Sequence, residues 1–236
     1  HFAERINEAE GFNYTSKRPV MGTKEFITGY RGGDADFHKM VAKMAGIDRK
    51  IAKTINLGLF YGMGKGKLKE QLGIDEETAE VLINDYNEKV PFVKRLSQRA
   101  MDSMDNKGYV TTIYGRRCRF FGYVPVRWGA SGFWKTEKEA EEDVGKYGYK
   151  KAYTYKALNK LIQGSAADQT KKAMVDLYEQ DGIIPHIQVH DELNISIEGE
   201  EQAKRIVEKM ENCIKLHVPS RVDYKLANNW GEAKDD

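Results

Sequence analysis

Two cysteines and five prolines are all that 236 residues contain. Cys118 and Cys213 stand far apart, without a CxxC pair. That excludes a disulfide framework and a zinc module, and it fits a reducing cytosolic setting. No stretch approaches the roughly 18 apolar residues that a membrane-crossing helix needs, and no signal-peptide pattern opens the chain. Membrane and secretory classes fall away. Charge of one sign is lacking as well: 38 Lys and Arg face 36 Asp and Glu, for a net +2. Bulk charge therefore does not announce a nucleic-acid binder. Between Lys39 and Arg119, however, 16 Lys and Arg meet 10 Asp and Glu, a local basic excess of the kind that follows a phosphate backbone. A solvated helical surface would look the same. With 40% hydrophobic residues the chain can bury a core in one or two domains, and nothing indicates disorder. It opens on His1 rather than Met, as a processed, split or truncated piece would.

The pattern of caps and breakers divides the chain. Residues 1 to about 35 read as a short helix followed by an irregular stretch rich in Gly and Tyr. A helix from Phe37 to Ala45 is closed by Gly46, and Asp48 is placed to cap the next one. Further helices are expected from Gly64 to Gln71, from Asp75 as cap to about Lys89, and from Pro91 to about Asn106, stopping at Gly108. Tyr109 to Gly115 has strand character. Residues 122–148 mix aromatic, glycine and acidic residues without a period and read as an insertion or long loop, with a short helix at Glu137 to Asp143. Then come a helix over Tyr153 to Glu179, two apolar strands at Pro185 to Val189 and Leu193 to Ile197 that are expected to be buried on either side of a tight turn, a helix from Glu200 to Leu216 and a last strand near Arg221 to Leu226. The expected class is α+β, a helical part followed by antiparallel strands with packing helices.

One segment carries the most chemistry. At about 100° per residue, Arg49, Lys53, Leu57 and Tyr61 follow one another along a single slowly drifting stripe of a helix. Two cations suit a triphosphate, and the apolar and aromatic surface beyond them suits a base with its sugar. The competing reading is an ordinary amphipathic helix with solvated lysines and with Leu57, Phe60 and Tyr61 in the core. Downstream, Gln163-Gly164 and Gln188-Val189-His190-Asp191-Glu192 follow in order.

Arg49, Lys53 and Tyr61-Gly62, then Gln163-Gly164, then His190-Asp191-Glu192, resemble the polymerase domain of family A DNA polymerases, the bacterial DNA polymerase I and phage replicase group. In that family the R-x3-K-x7-Y-G helix is the O helix of the fingers, and the HDE tripeptide lies in the palm. Leu161 to Asp168 is similar to the family's Q-G-(T/S)-A-A-D segment, although small-residue helix packing alone would also account for Ser165 to Asp168. The resemblance implies residues 1–35 as an entry segment between palm and fingers, 36–108 as helical fingers, 109–152 as a return strand with an inserted loop, and 153–236 as palm. It implies template-directed DNA synthesis on primer-template DNA from dNTPs with two Mg²⁺ ions. The implied setting is the cytoplasm of a bacterial or phage-infected cell, and the short spacing from His38 to Arg49 leans towards the phage enzymes.

By the same resemblance, His38, Arg49 and Lys53 grip the triphosphate, with Lys53 also a candidate general acid for pyrophosphate. Tyr61 sits under the templating pair. Leu57 stands where many members carry Phe or Tyr against the nucleotide, and leucine offers no ring to stack. Asp191 is implied as a metal ligand with Glu192 beside it, and His190 as a contact to the primer terminus. Mg²⁺ keeps several waters, so one or two rigid carboxylates suffice alongside substrate phosphates. Arg116, Arg117, Arg119, Asn159 and Gln163 are implied as DNA contacts. Donors among them can inspect minor-groove acceptors, present at every base pair, without reading sequence.

The family's D-Y-S-x-x-E-x-R motif, which supplies the other metal-binding Asp and a steric-gate Glu, does not occur in this sequence. His1-Phe2-Ala3 looks like the stretch that follows it. The expectation is therefore a chain that binds and catalyses weakly alone and depends on an upstream segment carrying the thumb and that motif, in cis or as a separate subunit. Two rivals remain at this level. Single-subunit RNA polymerases share a similar helix, but their His-Asp pair is usually followed by Ser rather than Glu192. A non-catalytic nucleic-acid-binding or assembly module derived from a polymerase is the other.

Overall fold

The computed structural model describes residues 27–29, 31–32, 36–60, 63–89, 91–127 and 129–233. The expected entry segment lies almost wholly outside these residues, as do Tyr61 and Gly62. The described chain is mixed: helices predominate, and the strands form three separate two-stranded antiparallel sheets. Among the described residues no helix is long and apolar enough to cross a membrane.

The helices come in the order α1 (Phe37–Ala45), α2 (Arg49–Phe60), α3 (Lys65–Leu72), α4 (Glu76–Lys89) and α5 (Pro91–Lys107). Local chemistry sets their ends. Asp36 Oδ1 accepts from Lys39 N at 3.0 Å and caps α1. Gly46, at φ 67°, closes it in the left-handed conformation that a side chain would resist. The chain thereby turns at once into α2, where Asp48 Oδ1 accepts from Lys50 N at 2.6 Å. Asp75 caps α4 by accepting from Thr78 N at 2.7 Å. Val41, Ala52, Ile55, Leu68, Ala79 and Tyr86 meet in one buried cluster under these helices.

A second cluster joins Met104 of α5 to Val110, Cys118 and Leu158. Here the expected strand from Tyr109 to Gly115 is cut short. It forms a hairpin, β1 (Tyr109–Thr111) with β2 (Arg117–Arg119), because Thr112 N pairs with Arg116 O and Gly115 turns at φ 82°. The expected loop at 122–148 is folded too. β3 (Tyr123–Pro125) pairs with β4 (Tyr149–Lys151), and α6 (Glu137–Val144) lies between them in sequence. Three-residue strands so far apart leave no local period to read. Side chains close the unit: the Tyr123 and Tyr149 hydroxyls both donate to Glu137, and Trp134 Nε1 donates to Asp143. Lys151 Nζ donates to the carbonyls of Met104 and Asp105 at the end of α5.

A 3₁₀ turn (Thr154–Lys156) leads into α7 (Ala157–Asp181). The chain divides into two compact units, Phe2–Ile162 and Gln163–Asp236, with the boundary inside this helix. In the second unit Ala173 and Leu177 are buried, as are Ala203 and Ile206 of α8 (Glu200–Asn212). β5 (Ile187–Val189) and β6 (Glu192–Asn194) form the third hairpin, and α9 (Trp230–Ala233) ends the described chain. Three expectations are corrected here. The helix expected to reach Leu216 stops at Asn212, whose amide donates to Glu208 O in the last turn. The expected strand near Arg221 to Leu226 is not formed, since a strand needs a ladder partner and none pairs with it among the described residues. The hairpin strands, expected to be buried, leave Ile187 41% and Val189 38% exposed, because a two-stranded ribbon carries no covering layer of its own.

Leu68 is fully buried, whereas Val81 is 53% exposed. Leu68→Ala is expected to destabilise the first unit by about 3 kcal/mol in urea unfolding. Val81→Ala is expected to stay within about 0.5 kcal/mol.

Candidate active site

The α2 helix has two faces of different character. Ala52, Ile55 and Asn56 are fully buried, whereas Arg49, Lys53 and Leu57 are exposed, Leu57 at 41%. Leu57 is therefore not core, against the ordinary amphipathic reading. It borders a cleft of about 860 Å³ lined also by Thr54, Gly58, Lys67, Gln71 and Lys156. Gly58 lies under Met63, whose methyl carbon occupies the space that a Cβ would need.

The Gly46 turn brings α1 against α2, so Asp36 comes to the Arg49 end of the stripe and His38 to Asn56, farther along the helix. Arg49 Nε and Nη2 each approach Asp36 Oδ2 at 2.7 Å. The Lys39 amide first, and the Arg49 guanidinium with it, holds the Asp36 carboxyl below its usual range. His38 Nδ1 lies 3.1 Å from Asn56 Nδ2, and the buried Tyr86 hydroxyl donates to Asn56 Oδ1. Burial pushes the His38 imidazole towards its neutral form. Arg49 and Lys53 push the same way, and Asp36 opposes them. His38, Arg49, Lys53 and Leu57 are thus neighbours on one unit. Asp36, Asn56 and Tyr86 were not among the expected site residues. Asn56 carried a signal nonetheless, a polar residue on the otherwise apolar Ala52 and Ile55 face.

The DNA-facing candidates fall on separate elements. Arg117 and Arg119 are exposed on one face of β2, with guanidinium carbons 4.8 and 5.7 Å from the Tyr109 ring centre, and Cys118 is buried on the other face. Arg116 Nη1 donates to Cys118 Sγ at 3.4 Å. Asn159 and Gln163 stand four residues apart on α7, the former half-buried and the latter exposed.

In the second unit His190 and Asp191 form the two-residue turn between β5 and β6, with Val189 opposite Glu192. His190 takes a left-handed φ of 53°, a conformation that histidine tolerates better than most residues. Gln188 Nε2 donates to His190 O at 2.9 Å and steadies the turn. Asp191 is exposed at the tip. Glu192 belongs to β6 rather than to the tip, and its Oε1 accepts from Asn194 Nδ2 at 3.0 Å and Trp230 Nε1 at 3.2 Å. Among the described residues no group of three or more His, Cys, Asp or Glu is placed to hold a metal ion. A cation held here would need oxygen donors from water, phosphate or another segment. Mg²⁺ accepts such a donor set, so the exposed carboxylate of Asp191 fits it.

Residues 21–232 match the family model for DNA polymerase family A. The DNA-directed DNA polymerase of Pseudomonas phage M6 is 34% identical over 234 residues, covering 85% of this chain and 32% of that protein. The thermostable DNA polymerase I of Thermus filiformis is 34% identical over 231 residues, covering 92% of this chain and 26% of that protein. Among solved structures, the POL domain of Pol1 from M. smegmatis, in complex with DNA primer-template and dNTP, aligns with a TM-score of 0.62. It is 29% identical, over 82% of this chain and 34% of that one. The chain belongs to the family A DNA polymerases, and it spans about a third or less of the length of these relatives.

His38 yields a pH prediction. Its folded-state affinity for protons lies below the ordinary value of 6.5, so the unfolded chain takes up the proton more readily. Its contribution to stability is full above that value and is lost as pH falls below about 6.5. Urea midpoints of the first unit, measured from about pH 7.5 down to 5, are expected to decline. The decline should be shallower in His38→Gln.

Proposed function

We propose that this chain performs template-directed DNA synthesis, joining dNTPs to a primer 3′-hydroxyl by two-metal nucleotidyl transfer, as one part of a polymerase whose upstream segment supplies the second metal-binding aspartate. The observation that carries the reading is that His38, Arg49 and Lys53 lie along the contact of α1 with α2, with exposed Leu57 on the same stripe of α2 as the two cations and beside a cleft. Three nitrogen-bearing side chains beside an apolar patch match the polarity of a nucleoside triphosphate. Family membership and the primer-template and dNTP bound by the M. smegmatis relative support it.

In this reading Arg49 exchanges its Asp36 partner for triphosphate oxygens, since both are anions within reach of the same fork. Lys53 lies beside it and donates a proton to the departing pyrophosphate as the bond from the primer 3′-oxygen to the α-phosphorus forms, the α-phosphorus bond to the bridging oxygen of the β-phosphate breaks, and the primer hydroxyl proton passes to solvent water. Asp191, with Glu192 behind it, would hold Mg²⁺, which when bound would lower the pKa of the primer hydroxyl and balance charge on the triphosphate. His190 meets the primer terminus. Arg116, Arg117, Arg119, Asn159 and Gln163 line the duplex, and Tyr61 underlies the templating pair.

Primer extension with Mg²⁺ and four dNTPs, run on this chain alone and with the upstream segment added, tests the reading. Extension is expected chiefly in the mixture. Asp191→Asn should lower it by about 100-fold or more. Lys53→Ala should raise KM for dNTP as well as slow turnover. DNA binding without extension in either preparation would point instead to a binding module of polymerase ancestry.

Leu57→Phe is a gain-of-contact test. An aromatic ring at this exposed position should tighten dNTP binding by roughly two- to tenfold, the worth of one stacking contact. A titration of fluorescent dNTP would measure it.

A further inference from the structure

We propose that Asn56 and Tyr86 are positioning residues that set the tautomer of His38, leaving its proton on Nε2 as a directional hydrogen-bond donor for the triphosphate. The proposal rests on the reading of His38 as a triphosphate ligand, and it adds the groups behind the imidazole that make it one.

The geometry is a three-member chain running from the interior outwards. Tyr86, on α4, is 1% exposed, and its hydroxyl proton has to find an acceptor there. It donates to Asn56 Oδ1. That bond fixes which way the fully buried Asn56 amide faces, because the opposite orientation would set the amide NH₂ against the phenol and leave the phenol proton without that carbonyl. With Oδ1 committed to Tyr86, the Asn56 NH₂ points at His38 Nδ1, 3.1 Å away. A nitrogen that accepts a hydrogen bond carries no proton, so Nδ1 is the bare position and Nε2 holds the N–H.

The groups around the ring agree. Arg49 and Lys53 from α2 both disfavour a second proton on His38, and so does its partial burial. Asp36 acts in the opposite sense, but it is engaged by Arg49 and by the Lys39 amide. Tyr86 is linked to the ring through Asn56. Arg49 and Lys53 thus supply charge, whereas His38 supplies a neutral donor with one fixed direction.

Two variants separate this role from simple packing. Tyr86→Phe keeps the ring in the core and removes only the hydroxyl, so the Asn56 amide is free to turn and offer Oδ1 to a protonated Nδ1. Asn56→Leu removes both bonds. The readout is imidazole nitrogen NMR of the histidine-labelled chain, with His38 assigned by loss of its signals in His38→Gln. The wild-type chain is expected to show Nδ1 unprotonated and Nε2 protonated in the neutral form. Both variants should lose that single tautomer and titrate at higher pH. In parallel, binding of dATP with Mg²⁺ should weaken by roughly two- to tenfold in Tyr86→Phe, the worth of one hydrogen bond. His38→Gln should make the further Tyr86→Phe change silent. A wild-type His38 protonated on Nδ1, or a tautomer unaltered in Tyr86→Phe while the variant stays folded by circular dichroism, overturns the proposal. A tautomer that shifts as expected without any dATP binding to the wild-type chain sustains the relay and instead refutes the triphosphate reading on which it was built.

Discussion

A single carboxylate organises the first unit. Asp36 caps α1 through one oxygen and takes the Arg49 fork through the other, so the helix carrying His38 and the helix carrying Arg49 and Lys53 share one fixed corner. An exposed ion pair of this kind contributes little to stability, on the order of 0–1 kcal/mol. Its importance is directional. Stability comes from the apolar cluster beneath, where Val41, Ile55, Leu68 and Tyr86 lose their contact with water. Without that cluster the corner would have nothing to stand on, and without the corner the cations would have no common direction.

The same carboxylate also defines a competition. Phosphate oxygens and the Asp36 carboxylate suit one guanidinium equally well in chemical terms, so a bound triphosphate would have to outbid an intramolecular partner. That pairing holds the Arg49 guanidinium at the Asp36 corner. The relay from Tyr86 through Asn56 does the equivalent for His38 from the buried side. The donors proposed to meet the triphosphate are thus oriented by residues that need not touch it.

Much of this was legible in the sequence. Asp36, Gly46, Asp48 and Asp75 are cap residues whose chemistry is local, and the helices of the first unit begin and end where they say. The stripe of Arg49, Lys53 and Leu57 follows from helical period alone, but the exposure of Leu57 does not, since the same period suited a helix with that residue in the core. What failed was non-local. The β3 and β4 pairing depends on residues far apart, and the exposure of Ile187 and Val189 depends on what lies over a strand rather than on its own pattern. Glu192 illustrates the limit on the site: its place in the motif is plain, but its bond to Trp230, far along the chain, comes from tertiary structure. Asn56 was visible only as a polar residue on an apolar face, a mark that identifies a buried network without naming its partner.

The central claim is that the α1 and α2 corner is a triphosphate seat, and the most direct measurement is residue-resolved. An amide and side-chain NMR titration of the chain with dATP and Mg²⁺ should perturb His38, Arg49, Lys53 and Leu57 together and leave the 122–152 segment unmoved. Perturbations absent from those four residues, or concentrated in the inserted hairpin, would contradict the account.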